Sequence, residues 1–397
     1  MKKKLLILSH AMELGGAERS LLGLLDALKE SEYEVDLFLL RHEGELLKYI
    51  PEHVQLLPEV PAYTVLARPM KTVLKEGHFL LTAARLFARQ KAALFTKKNQ
   101  LNDSIVSLEY SHKYTCPLMP KIQPDTEYDL AISYLTPHYF VAEKVRSKRK
   151  IAWIHTDYSQ VSVDVESETQ MWSKYDQIVS ISAEVSKSFL SVFPSLKDKL
   201  FEMENILPER LILEQACAFS VEPEMPKHEG SNLLSIGRYC HAKNFDNVPD
   251  ICRRMIEMGA SIKWYIIGFG GDEALIREKI EAANMTNQVI LLGKKENPYP
   301  YIKACDLYVQ PSRYEGKAIT VKEAQLLGKT VAITNYPTAN SQLNHEIDGL
   351  IVSMDNQKCA EELFNLLNNS TLMVHLGENC RKNLNNGNDR LFELLGV

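Results

Sequence analysis

The sequence predicts an α/β protein made of two consecutive doubly wound domains. Three observations carry that expectation. Short apolar runs alternate with amphipathic stretches of helical spacing, as buried parallel strands joined by helices do. Several of those runs end in a glycine loop, where such a strand hands over to its helix. The pattern also breaks once past the middle of the 397 residues and then restarts, and that length suits two domains better than one.

The first half opens with Leu5–Ser9, followed by Gly15, Gly16 and the stretch Ala17–Lys29, where Leu21, Leu22, Leu25 and Leu28 recur at helical spacing. Glu34–Leu40 resumes as a strand through the alternation Val35, Leu37, Leu39. Further strands are expected at Leu130–Tyr134, Ile151–Ile154, Ile178–Ile181 and Met203–Leu207. Pro223, Pro226 and Gly230 crowd the span 208–231, which reads as a linker between domains at 1–207 and 232–397. The second set of expected strands is Leu233–Ile236, Trp264–Ile267, Val289–Leu292, Leu307–Gln310, Val331–Ile333 and Leu350–Val352. Residues Gln357 to Leu394 are largely helical, and the last helix has the option of crossing back onto the first domain. Ligands bind outside the carboxyl ends of such strands, so the loops that follow them should line a cleft between the domains.

Composition narrows the class. Hydrophobic residues make up 45% and charged residues 24%, ordinary for packed cores, and the net charge of -5 does not suit a general binder of nucleic acid. The seven cysteines (116, 217, 240, 252, 305, 359 and 380) are dispersed, without disulfide or metal-type spacing, as expected for reduced thiols in the cytoplasm. The apolar run Leu5–Leu8 after three lysines is too short for a signal peptide, and no stretch is long enough for a membrane span. Membrane contact would then be peripheral. One segment invites it: between Ala67 and Lys98, eight basic residues (Arg68, Lys71, Lys75, Arg85, Arg89, Lys91, Lys97, Lys98) face a single acid, Glu76. Leu80, Leu81, Leu86, Phe87, Leu94 and Phe95 interleave with them, a pattern that fits a helix on an anionic membrane surface and an ordinary solvated helix about equally.

The chemistry concentrates in Pro311-Ser312-Arg313-Tyr314-Glu315-Gly316-Lys317-Ala318-Ile319-Thr320-Val321-Lys322-Glu323-Ala324. This segment leaves a buried strand directly. Glu315 falls in the strand-to-helix loop and Glu323 about two helical turns on. The first turn of the helix offers unpaired amides and a partial positive charge, a natural seat for a diphosphate or sugar oxygens. Two glutamates at a helix start are otherwise just solvated carboxylates, and it is the surrounding order of strand, loop and helix that gives the pair its meaning.

The segment resembles the glutamate-x7-glutamate signature of glycosyltransferase family 4, in the form Pro-Ser, aromatic, Glu-Gly, then Glu-Ala and Gly328. The resemblance extends along the chain: Gly15-Gly16-Ala17-Glu18 looks like that family's first glycine loop, Gly237-Arg238 with Lys243 like its diphosphate pair. Gly268-Phe269-Gly270-Gly271 and Gly349-Leu350-Ile351-Val352 also fit in order. The resemblance implies a GT-B fold, two Rossmann-like doubly wound domains facing a cleft, with acceptor binding in 1–207 and the nucleotide sugar in 232–397. It implies that Glu323 holds the ribose hydroxyls and Glu315 meets the donor sugar near the reacting carbon. Gly316, Lys317, Ala318 and Ile319 would surround the sugar and phosphates with backbone amides, and Arg238 and Lys243 would clamp the diphosphate. His155 would reach the donor sugar from the first domain, while Gly15, Gly16 and Gly268 would allow close backbone approach.

Physics supports the cation pair independently, since a diphosphate leaving group needs its developing charge stabilised. The implied activity is a retaining, metal-independent hexosyl transfer from a nucleoside-diphosphate sugar, uracil or guanine as base, to a glycan or lipid-linked acceptor. An idle partner subunit on the same scaffold, an epimerase or a phosphorylase are the alternatives. Two positions depart from the family pattern: Ala318 stands where a second glycine or proline is common, and Asn205-Ile206-Leu207-Pro208 replaces Asn-Gly.

Overall fold

A computed structural model of the chain describes residues 2–101, 104–159, 161–382 and 388–396. They form two compact units, Met1–Ile206 with Gly387–Val397, and Leu207–Asn386.

The first unit is built on a sheet of seven strands, β1 (Lys3–Ser9), β2 (Tyr33–Leu39), β3 (Val54–Leu56), β4 (Tyr128–Ser133), β5 (Ser147–Ile154), β6 (Gln177–Ser180) and β7 (Leu200–Glu202). All pairs are parallel and the order is β3-β2-β1-β4-β5-β6-β7. Leu5, Leu6, Ile7 and Leu8 are fully buried, which explains why β1 is a near-continuous apolar run rather than an alternating one. The order turns between β1 and β4, so the loops after those two strands flank a topological switch point. Three helices matter here: α1 (Gly16–Ala27), α2 (Phe79–Asn99) and α3 (Val106–Thr115).

The second unit carries six parallel strands, β8 (Ser231–Ile236), β9 (Ile262–Ile267), β10 (Val289–Gly293), β11 (Leu307–Gln310), β12 (Thr330–Thr334) and β13 (Leu350–Val352), in the order β10-β9-β8-β11-β12-β13. The switch point lies between β8 and β11, which puts the Gly237-Arg238 loop and the Pro311–Ala318 loop side by side at one sheet edge. Its helices include α4 (Glu209–Gln215), α5 (Tyr299–Ala304) and α6 (Ile319–Leu326). Helix α7 (Asn388–Leu395) returns to the first unit, where the Arg390 guanidinium lies 4.3 Å from the Phe201 ring centroid and Arg149 Nη2 donates to Leu394 O at 2.8 Å.

Two expectations need correction, and one strand goes unforeseen. The span 208–231 is not a plain linker: α4 occupies it, and Ile212, Ala216, Val221 and Met225 are buried in the core of the second unit. Pro208 stands at the start of that helix, and Pro223 and Pro226 lie beyond its end without releasing the chain from the core. Met203–Leu207 is not a strand; pairing with β6 occurs at Leu200–Glu202, and Met203 N adds one bond to Ser180 O before the chain leaves the edge. Met203, Ile206 and Leu207 are buried as loop residues, so their apolar run reports burial and not pairing. Strand β3, three residues at the other edge, carries too little pattern to be read from sequence.

Candidate functional site

In the second unit, the switch point sets two loops against each other and cross-links tie them. Arg313 donates to both Asp246 carboxylate oxygens at 2.9 and 2.7 Å and to His241 O at 2.6 Å, while its own amide donates to Ala242 O. Burial alone would raise the Asp246 pKa, but the bidentate Arg313 overrides it and holds the carboxyl below its usual value. Asn244 adopts the left-handed conformation (φ 60°), and its Nδ2 donates to Pro311 O at 2.8 Å. Neither Arg313 nor Asp246 stood out in the sequence, because their pairing spans 67 positions.

Glu315 sits where these ties converge. Its Oε1 accepts from Lys243 Nζ at 2.5 Å, Ser312 Oγ at 2.6 Å and Gln310 Nε2 at 3.3 Å. Oε2 accepts nothing among the described residues. Gln310 and Ser312 are fully buried, and Gln310 is itself held by Tyr308 Oη at 2.8 Å. A Cβ on Gly237 would meet Lys243 Cε at 3.0 Å, so the glycine gives the lysine stem its path toward Glu315. Arg238 is exposed and makes no ion pair among the described residues.

Beyond Glu315 the loop enters α6, whose N-terminus has no side-chain cap. Its amides are not all open: Ala318 N donates to Gln342 Oε1 at 2.8 Å, which removes Ala318 from the expected amide donors. Gly316, Lys317 and Ile319 remain around that N-terminus. Glu323, one turn inside α6, is fully buried, and Tyr299 Oη at the start of α5 donates to its Oε1 at 2.9 Å. Tyr299 is a third residue the sequence did not disclose. Gly268 is explained by the backbone: its Cβ would lie 1.9 Å from Gly237 O, so it is the close approach of the two strand-end loops that requires glycine there. Among the described residues no group of three His, Cys, Asp or Glu is placed to hold a metal ion.

In the first unit, Gly15 is the extended N-cap of α1, and a Cβ there would lie 2.0 Å from Glu18 Oε2. The glycine thus makes room for the glutamate that folds back over the helix start. Gly16 begins the helix. One turn on, Ser20 Oγ donates to Asn205 Oδ1 at 3.0 Å and accepts from Tyr134 Oη at 2.8 Å. The Tyr134 ring lies 4.8 Å from that of His155, which follows β5. His155 Nε2 is buried without a hydrogen-bond partner, and burial lowers the ring's pKa to about 4, so the imidazole is neutral near pH 7. The site residues therefore divide between the units: Gly15, Gly16 and His155 in the first, the rest in the second.

Two switch-point sheets with glycine loops at their strand ends define the class, and the chain has the GT-B fold. Residues 222–383 match the family described as Glycosyl transferases group 1, all of them within the second unit. An uncharacterized glycosyltransferase of Methanocaldococcus jannaschii is 27% identical over 176 residues, 43% of this chain and 42% of that protein. The poly(ribitol-phosphate) α-N-acetylglucosaminyltransferase of Staphylococcus aureus is 24% identical over 163 residues, 40% of this chain and 33% of that protein. The chain thus spans less than half the length of either relative. A crystal structure of a variant of S. aureus TarM in complex with fondaparinux, α-GlcNAc-glycerol and UDP superimposes with a TM-score of 0.68 at 13% identity, covering 99% of both chains.

Proposed function

We propose that the chain is a retaining transferase of the family 4 kind, moving a hexose-type sugar from a UDP-sugar to a hydroxyl of a glycan or lipid-linked glycan. The observation that carries this reading is the state of Glu315: one carboxylate oxygen is fixed by three donors and the other is left for a ligand. UDP is the nucleotide in the complex of the TarM variant, and it supports uracil as the base here.

In the proposed reaction Glu323, braced by Tyr299, takes the ribose hydroxyls. The bond from the anomeric carbon to the diphosphate oxygen breaks and a bond to the acceptor oxygen forms on the same face. The acceptor proton passes to the departing phosphate oxygen. Arg238, the Lys243 ammonium and the open amides of α6 stabilise the charge that develops on the leaving group. Lys243 has three donors, so it serves the diphosphate while still holding Glu315. These cations take the place of a metal ion, and the reaction is metal-independent. The seven free thiols suit a reducing compartment, and we place the protein in the cytoplasm.

The test is turnover of a panel of UDP- and GDP-sugars with glycan acceptors in the presence of a chelator, with product configuration read by NMR. The reading requires UDP release that survives chelation and an α-linked product from an α-linked donor. An inverted product removes the retaining mechanism, and no consumption of any donor removes the transferase. Arg238→Ala should lower kcat at least about tenfold, a loss of about 1.4 kcal/mol of transition-state stabilisation, with little change in uridine affinity. Equal loss of both would deny its charge a transition-state role.

A further inference from the structure

Helix α2 has two apolar stripes where a soluble surface helix has one. Leu81, Ala88, Ala92 and Phe95 pack inward, the last three against α3 through Val106 and Tyr110. At 3.6 residues per turn, Phe79, Leu86, Phe87 and Leu94 fall on the outer side, although the Phe87 ring also packs edge-on against Tyr114 of α3. They are 66, 48, 47 and 66% exposed, and Leu80 beside them is 73% exposed. The basic residues of the segment then sort into two groups. Arg68 is paired with Glu76, and Arg85 donates to the carbonyls of Val65 and Arg68, so both serve the fold. Arg89, Lys91, Lys97 and Lys98 are exposed and flank the outer stripe. A groove of about 780 Å³ opens beside it, where Arg89, Lys97 and the hydroxyls of Thr96, Ser104 and Ser107 share the lining with Ala92, Ala93 and Leu101.

We propose that this outer face of α2 docks on an anionic lipid bilayer. Apolar side chains at the centre of the face enter the acyl boundary, the flanking lysines and arginine meet lipid phosphates, and the groove takes a headgroup. Charge complementarity selects the occupant: an apolar stripe alone would suit another protein, but cations on both flanks call for a surface rich in phosphate. Among the described residues no helix is long and apolar enough to cross a membrane, so the attachment is lateral. The inference goes beyond the transferase reading and does not depend on it.

Co-sedimentation of the full chain with vesicles of phosphatidylcholine, alone or mixed with phosphatidylglycerol, tests it. Binding to the mixed vesicles at low salt, released at high salt, is the expected result. Two variants, F79S/L86S/L94S and R89Q/K91Q/K97Q/K98Q, should each weaken that binding at least about tenfold. Both variants should keep the parent's circular dichroism spectrum and thermal unfolding transitions, which shows that they fold, and UDP binding, proposed for the other unit, should be unchanged, which separates this claim from the transferase. No binding to the mixed vesicles at low salt, or variants that bind as the parent does, overturns the proposal. A dimer that the apolar variant splits into monomers would assign the stripe to a second copy instead.

Discussion

The carboxylate of Glu315 has one oxygen fixed by its neighbours, and in the proposed reaction that fixes where the other oxygen points. Ser312 and Gln310 come off the end of a fully buried strand, so their side chains have little freedom, and both donate to the same oxygen. Removing Ser312 Oγ should cost the fold about 1.5–3 kcal/mol, the worth of a hydrogen bond to a charged group, and let the carboxylate rotate. Ser312→Ala is therefore expected to lower kcat with KM for the donor almost unchanged, and steady-state kinetics reads the split. A rise in KM at constant kcat would mean that Ser312 serves ground-state binding. Glu315 and Lys243 could be picked out from sequence because the motif spacing names them. Tyr299, Arg313 and Asp246 could not, because each acts through a partner far along the chain that only the folded sheet brings near.

At the scale of elements, what the sequence discloses follows the physics of burial. Strands β1, β4, β8 and β11 are covered on both faces, so their apolar runs are unmistakable. Edge strands β3 and β7 have three residues each and are only partly covered, and no periodicity marks them. Helix α4 was hidden behind the prolines that follow it, though Ile212 is fully buried. Helix α6 illustrates a different limit. Its position after β11 and its uncapped start were expected, but the capture of the Ala318 amide by Gln342 was not. Gln342→Ala should free that amide and leave it buried and unsatisfied in the absence of ligand. A melting temperature lowered by a few degrees, and partly restored by UDP, is the outcome expected of thermal unfolding with and without nucleotide. No difference in either condition would show that the bond is idle.

For the molecule as a whole, the first unit contains a set of histidines kept neutral by burial: His112 and His138 are pushed down to about 3 and His155 to about 4. A histidine whose folded pKa lies below its unfolded value stabilises the fold above that unfolded value, and the contribution fades as pH falls toward the folded one. The histidine contribution therefore falls below pH 6.5, while Glu109 and Glu168, pushed up by burial to about 9 and about 7, act in the opposite sense and offset part of it. Replacing His138 by Gln should accordingly flatten the fall in melting temperature from pH 6.5 to pH 5 relative to the parent chain, and an unchanged profile would contradict this. The central claim concerns the second unit, where the fold, the uncapped helix and the braced Glu323 together make a seat for a nucleoside diphosphate. Titration calorimetry with UDP, GDP, ADP and CMP on the parent chain and on Glu323→Ala addresses it most directly. The account predicts that UDP binds the parent chain and that its affinity falls at least about tenfold when the ribose contact is removed. Binding of none of the four, or equal binding of UDP to both proteins, would contradict it.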